Sequence, residues 1–358
     1  IGVVPFSERL GGGSFQYSQS LLQSLVHPDA AAHGDRYIIF IPEERLDTLP
    51  QPLPPHCTVC QLLPPRRRIA QRLRAIVGEG AHRELWRRWR ASRDIDANAL
   101  PDPDTMKSQP DMNEWFLYCG AEFMVYGAHE ILDFEAGLPY LCPVHDFEHR
   151  IHPHFPEVSH HGEQVKREYL YRNIARSASC VLVDSETGRE DMLRFYGEYG
   201  IGPERVQVLP FLPSPALAAE ASAAERADIR RRHNLPERFF FYPAQFWPHK
   251  NHQRIVEALA LLRERDGLDI SMVFAGTYDD EIRRECHEQV AGFCRDRGLE
   301  PRVRFLGYVP DADMAGLYAE AVALAMPTFA GPTNIPVLEA WRYGCPVLTS
   351  DQRGNREQ

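Results

Sequence analysis

No stretch of this chain approaches the ~20 consecutive apolar residues that a membrane-spanning helix needs. The longest apolar runs, such as 37–42 (YIIFIP) and 321–327, are strand-sized. Cysteine is sparse and scattered, at 57, 60, 119, 142, 180, 286, 294 and 345 of 358 residues, which excludes a disulfide-stapled scaffold. The one close pair, Cys57-Thr-Val-Cys60, has no second CxxC to complete a zinc site and lies in the strand-like segment CTVCQLL; it reads as structural. Positive charge is not in excess: 40 Lys and Arg stand against 50 Asp and Glu, a formal net charge of −10, so general nucleic-acid affinity is not expected. Neither GxGxxG nor GxxxxGK[ST] occurs, which disfavours a nicotinamide dehydrogenase and a P-loop enzyme. No secretory leader is in view, and the expected setting is cytoplasmic, extending to the inner face of the membrane. The chain opens on Ile1 inside a strand-like segment and stops just after another, 346–350. The expectation is a chain cut at both ends.

What is present is ordinary globular material: 44% hydrophobic and 25% charged residues, in a length that suggests two domains. Strand-like and helical segments alternate through both halves. Strands are expected at 1–6, 37–42, 56–62, 123–126, 140–144, 180–184, 206–209, 239–242, 271–275, 303–306, 322–326 and 346–350. Helices are expected between many of them, including 14–26, 163–178, 185–196, 252–265, 280–297, 312–321 and 336–343. Thr187 and Glu190 form a candidate capping box at the start of the helical segment 185–196. This rhythm predicts parallel sheets covered by helices, with ligands at the carboxyl ends of strands. The Pro-rich, small-residue stretch PFLPSPALAAEASAAE is the linker candidate, dividing an N-terminal domain, 1–212, from a C-terminal one, 213–358.

Three strand-to-helix turns carry candidate chemistry. Leu10-Gly11-Gly12-Gly13-Ser14 lets backbone amides approach a phosphate at a helix N-terminus, although a simple tight turn explains it equally well. In Phe241-Tyr-Pro-Ala-Gln-Phe-Trp-Pro-His-Lys-Asn-His252, Lys250 stands where a cation can neutralise a diphosphate. In Pro327-Thr-Phe-Ala-Gly-Pro-Thr-Asn-Ile-Pro-Val-Leu-Glu-Ala-Trp341, Gly331–Asn334 form a turn and a helix begins near Ile335. Pro336 sits early, where its missing N–H costs nothing. Asn334 or Thr333 is expected to cap the helix, leaving amides for an anion. Glu339 lies one turn in, where a carboxylate suits ribose hydroxyls.

The last two motifs, with FLGYVPDADMAGLYAEAVALAMPT and PVHDFEHRIHPHFPEVS, resemble the group 1 (family 4) retaining glycosyltransferases over most of the chain. The resemblance implies an α/β GT-B fold, two Rossmann-like domains facing across a cleft, with the C-terminal part incomplete. It implies a nucleotide diphosphate sugar as co-substrate and no other cofactor or metal. The expected activity is transfer of a sugar, mannose among the candidates, to a hydroxyl on a glycan or lipid-linked acceptor. Carried over by position, Lys250 looks like the donor-phosphate lysine, Glu339 like the second Glu of the Glu-x7-Glu motif, and His145 like the active-site histidine. Amides around Thr333, Asn334 and Ile335 would hold the diphosphate and sugar, Gly331, Pro332 and Gln245 would join them in binding the donor, and Gly12 and Gly13 would face the diphosphate from the first domain. Gly331 stands in place of the motif's first Glu, and Gln245 in place of the usual phosphate-binding Arg. These departures leave two alternatives: a nucleotide-sugar epimerase on the same plan, and a catalytically impaired nucleotide-sugar-binding paralogue.

Two further clusters stand out. Six histidines fall in 145–161, with spacing that matches no zinc motif; Asp146 and Glu148 beside them are candidate bases for an acceptor hydroxyl. Residues 66–93 carry ten Arg against Glu79 and Glu84, interleaved with Trp86 and Trp89. Such a basic aromatic helix is read either as a peripheral membrane contact or as a solvated helix with its tryptophans packed inward.

Overall fold

A computed structural model describes residues 1–6, 12–68, 106–213, 217, 220–331 and 333–358. The expectations placed on Pro332, on Gly11 and on the basic segment beyond its first three positions lie outside the described residues. The chain forms two compact units. The first gathers Ile1–Val144, Gly162–Leu182 and Met192–Gln207; the second gathers His145–His161, Val183–Asp191 and Val208–Gln358. A main crossing at 207/208 lies close to the boundary read at 212/213, but two earlier segments also belong with the second unit.

The first sheet has seven strands: β1 (Gly2–Val4), β2 (Tyr37–Ile41), β3 (Cys57–Gln61), β4 (Met124–Tyr126), β5 (Tyr140–Pro143), β6 (Cys180–Val183) and β7 (Val206–Val208), in the order β3-β2-β1-β4-β5-β6-β7. The second has five: β8 (Phe240–Pro243), β9 (Met272–Ala275), β10 (Val303–Phe305), β11 (Ala323–Met326) and β12 (Val347–Thr349), in the order β10-β9-β8-β11-β12. All four pairings of the second sheet are parallel, with Phe241 opposite Val273 and Leu324 on either side. The two orders follow one plan. In each, the first strand of the sheet lies between its second and its fourth, so the connection reverses direction there.

The apolar runs become strands because both faces of a parallel sheet are covered, which continuous β-branched and aromatic residues satisfy. Phe241, Met272, Val273, Phe274 and Leu324 are completely buried in the second core. Helix His252–Asp266 buries His252, Ile255, Val256, Leu259 and Ala260, the stripe expected of a helix lying on a sheet. It ends at Gly267 in the left-handed conformation, whose N–H returns to Arg263 O. Helix Glu281–Asp296 starts at Asp280, whose carboxylate accepts from Arg283 N–H at 2.9 Å.

Several local expectations change. The histidine-rich stretch holds two short helices, Glu148–Ile151 and Pro156–Ser159. Inside the last residues of the linker candidate, helix Ala223–Arg232 begins, unforeseen in the sequence, with Ser222 and Glu225 as a reciprocal capping box. Thr187 does not cap helix Glu186–Tyr196. Ser185 does, its hydroxyl accepting from Gly188 N–H at 3.0 Å. The Glu357 carboxylate takes the first two amides of that helix, Glu186 at 2.5 Å and Thr187 at 2.9 Å, where the helix dipole favours negative charge.

Candidate functional site

The second unit brings its candidate residues together at the carboxyl ends of β8 and β11, the neighbouring strands at which the chain order reverses. In open parallel sheets this is where ligands bind. The loop after β8 and the loop after β11 are laced to each other. Asn251 Nδ2 donates to Pro327 O at 2.9 Å, Phe329 N–H to His249 O at 2.8 Å, and Thr328 Oγ1 to His249 O at 3.3 Å. Tyr242, at the end of β8, donates its hydroxyl to Lys250 O at 3.0 Å. The result sets Lys250 Nζ 3.4 Å from Asn334 Oδ1, uniting residues 84 positions apart.

Lys250 is a strained cation in the electrostatic sense. Burial of its ammonium pushes its pKa down to about 8, and Glu148, Asp146 and Glu157 pull the other way. These three acids come from the 145–161 segment of the same unit. Glu157 also accepts from both His249 N–H, at 3.1 Å, and His249 Nδ1, at 2.5 Å. Burial makes His249 harder to protonate despite that partner. Of the three, Glu157 anchors the loop on which the lysine stands.

The turn between β11 and helix Ile335–Arg342 is held mostly by side chains from elsewhere. Gly331 N–H donates to Glu148 Oε1 at 3.0 Å. Thr333 Oγ1 donates to Asp184. Asn334 N–H donates to Gln358 Oε1 at 3.0 Å, and Asn334 O accepts from Gln358 Nε2 at 3.0 Å. Asn334 Nδ2 reaches Asn355 Oδ1 at 3.0 Å. The expected capping by Asn334 or Thr333 side chains is therefore not made: Asn334 is the cap residue, but its side chain serves Lys250 and Asn355. Ile335 opens the helix, buried, with Pro336 in the first turn as read. Burial pushes Asp184 up to about 6, while the Thr333 hydroxyl favours its charged form. Sequence reasoning gave Asp184 no role. Its position at the carboxyl end of a strand was the available signal.

Glu339 is buried within the helix and accepts from Tyr318 Oη at 2.8 Å. Burial and that carboxylate push the Tyr318 phenol well above its usual range. Gln245 does not stand alone either. Its Oε1 accepts from Trp247 Nε1 at 2.9 Å and its Nε2 reaches Thr277 Oγ1 at 3.5 Å. Arg283 arrives at the same corner, its guanidinium over the Trp247 ring at 5.0 Å and donating to Thr277 Oγ1 at 2.9 Å. Arg283, itself paired with Asp280, thus stands near the position that the resemblance gives to an arginine, a meeting that spacing could not reveal. His145 follows β5 and is half-buried, with its ring centroid 5.5 Å from that of Phe211. Gly12 and Gly13 belong to the first unit, where Gly12 (φ 60°) precedes helix Gly13–Leu25. Among the described residues no group of three or more His, Cys, Asp or Glu is arranged to hold a metal ion, and no helix is long and apolar enough to cross a membrane.

The part of the chain that carries Lys250, Gly331 and Glu339 is also the part that resembles a known family. Residues 225–358 match the model of the family described as glycosyl transferases group 1. Among curated proteins, the chain is similar to O-antigen chain mannosyltransferase B of Escherichia coli, 27% identical over 179 residues, covering 49% of this chain and 44% of that protein. The match thus spans less than half of that relative's length. Among solved structures, it is similar to Anabaena HepE in complex with UDP and glucose (TM-score 0.62, 16% identity, 100% of this chain and 82% of that one). It is likewise similar to sucrose-phosphate synthase from Thermosynechococcus elongatus (TM-score 0.63, 18% identity, 99% of this chain and 82% of that one). These likenesses establish the fold read from the sequence, GT-B.

Proposed function

We propose that the protein is a glycosyltransferase that moves a sugar from a nucleotide diphosphate donor to a hydroxyl on a glycan or lipid-linked saccharide, with anomeric configuration retained. The observation that carries the reading is the pairing of Lys250 with the Gly331–Asn334 turn at the reversal point of the second sheet. Lys250 neutralises the departing diphosphate, and the amides of Thr333 and Ile335 add their dipoles. Stabilising the leaving group in this way lowers the barrier without a carboxylate nucleophile. Glu339 holds the donor ribose and His145 the reacting sugar. The reaction needs no metal. The mannosyltransferase likeness makes mannose the first sugar to try. The basic segment 66–93 is proposed as a peripheral contact with an anionic membrane face, which suits a lipid-linked acceptor.

The test is a thermal-shift screen of nucleotide sugars followed by assay of nucleotide release with and without saccharide acceptors. A bound donor present at ~100 times its Kd stabilises the fold by about 2.7 kcal/mol, a readily measured rise in Tm. Absence of any shift across uridine, guanosine and adenosine donors counts against the reading. Isomerisation of the donor without acceptor would move the assignment to an epimerase.

A further inference from the structure

We infer that Glu148 is the residue that grips the hydroxyls of the donor sugar, reaching the Gly331 turn from the 145–161 segment. The inference rests on the donor site proposed above and names a specificity-determining residue within it.

The Gly331 turn has no side chain of its own to offer at this point. Gly331 has φ 106°, a conformation that L residues rarely adopt, and a Cβ there would lie 3.3 Å from both Asn334 Oδ1 and Thr333 O. Yet its amide is not left to solvent. It donates to Glu148 Oε1 at 3.0 Å, across 183 residues of sequence. The other carboxylate oxygen, Oε2, meets His152 Nδ1 at 2.5 Å. The Glu148 backbone is fixed as well, its N–H donating to Asp146 Oδ1 at 3.0 Å. The carboxylate is therefore held at two points and its backbone at a third, beside the turn and within the electrostatic reach of Lys250.

Its environment suits hydroxyl recognition. The side chain is only 13% exposed. Burial and the neighbouring Asp146 raise its pKa, while His152 and Gly331 work to keep it charged. A carboxylate offers about four lone-pair sites; Gly331 and His152 take one each. The remaining sites can accept from two vicinal sugar hydroxyls. Such charge-assisted bonds in a partly dry site discriminate sharply, because a substrate lacking the hydroxyl leaves the acid unsatisfied. A phosphate would be repelled by the same group. The expected division of labour is thus Lys250 for the diphosphate and Glu148 for the sugar.

The experiment is calorimetric titration of wild type and Glu148→Gln with UDP-glucose and GDP-mannose, and in parallel with UDP and GDP. Glutamine keeps the acceptor for Gly331 N–H but removes the charge. The expected result is at least a tenfold weaker Kd for the nucleotide sugar that the wild type binds, with the matching nucleoside diphosphate changed less than threefold. Equal losses for both ligands, or no loss for either, overturn the inference. Tighter binding of both also overturns it, since Glu148 would then be a plug in the anion site. Wild type that binds none of the four overturns the donor-site reading itself, and this inference with it. If Glu148→Gln fails to melt cooperatively, Glu148→Asp, which retracts the carboxylate by one methylene, must show the same split between sugar and diphosphate.

Discussion

Two turns of this molecule have the same written form, glycine between a strand and a helix, and the described residues around them differ. The first, at Gly12 and Gly13, follows β1. Among the described residues a Cβ on Gly12 would meet no atom within 4 Å, and Gly12 receives no side-chain cap from its helix. The second, 331–334, follows β11 and is gripped by Glu148, Asp184, Gln358 and Lys250. Both stand at the point where the strand order of their sheet reverses. Glycine alone therefore does not distinguish a turn that is merely tight from one that is organised. The organising groups arrive from distant sequence, and they are the part of the second turn that chemistry can use.

The comparison is broken most severely by removing the cation of the organised turn. Lys250→Ala is expected to lower turnover by at least ~100-fold, the cost typical of deleting one group that stabilises developing charge, while the melting curve stays cooperative. Near wild-type turnover with any cleavable donor would contradict the role given to Lys250. The next effect separates the two glycines directly. Gly331→Ala must strain φ 106° and displace the Asn334 side chain or the Thr333 carbonyl, and about 1–3 kcal/mol is expected for such a residue in a sparsely populated region. Gly12→Ala faces only its φ of 60°, which costs about 1 kcal/mol. Chemical denaturation should rank Gly331→Ala as the more damaging, and donor affinity should fall more for it; the reverse order would mean that the first turn carries the tighter geometry.

The smallest effect is a pH dependence. Lys250 is held to about 8 by burial. The protonated form attracts a diphosphate and the neutral form does not, so affinity should be flat below that value and weaken as pH rises through it. The Kd of the nucleoside diphosphate measured between pH 7 and 9.5 checks the sign. A constant Kd over that range would show that the amides, not the lysine, supply the attraction.

How much of this was legible depended on whether the signal was local. SMVFA and the apolar run 37–42 became β9 and β2 because a doubly covered strand needs little beyond its own residues. Lys250 and Asn334 could be singled out because each lies in a turn at a strand end. Helix Ala223–Arg232 was hidden by composition, since it buries only Ile229, although its start was spelled out by Ser222 and Glu225. The partners of the second turn were beyond reach. Asp184 stands 149 residues from Thr333, and no periodicity announces such a meeting. The capping expectation failed for the same reason: distant partners outcompeted the local bond that Asn334 and Thr333 would otherwise make.

The composition of the second unit bears on how such a protein can be taken apart or recombined. His145–His161 and Val183–Asp191 precede the crossing at 207/208 in sequence but fold with the second unit. A chimera joined at 212/213 would inherit Lys250 and Gly331 from one parent and Glu148, Glu157 and Asp184 from the other. Exchange of the proposed donor site by swapping a single C-terminal block is therefore expected to break these contacts. The heritable module is a discontinuous one, and its two early fragments must travel with the late one for the strand-end loops to keep their anchors.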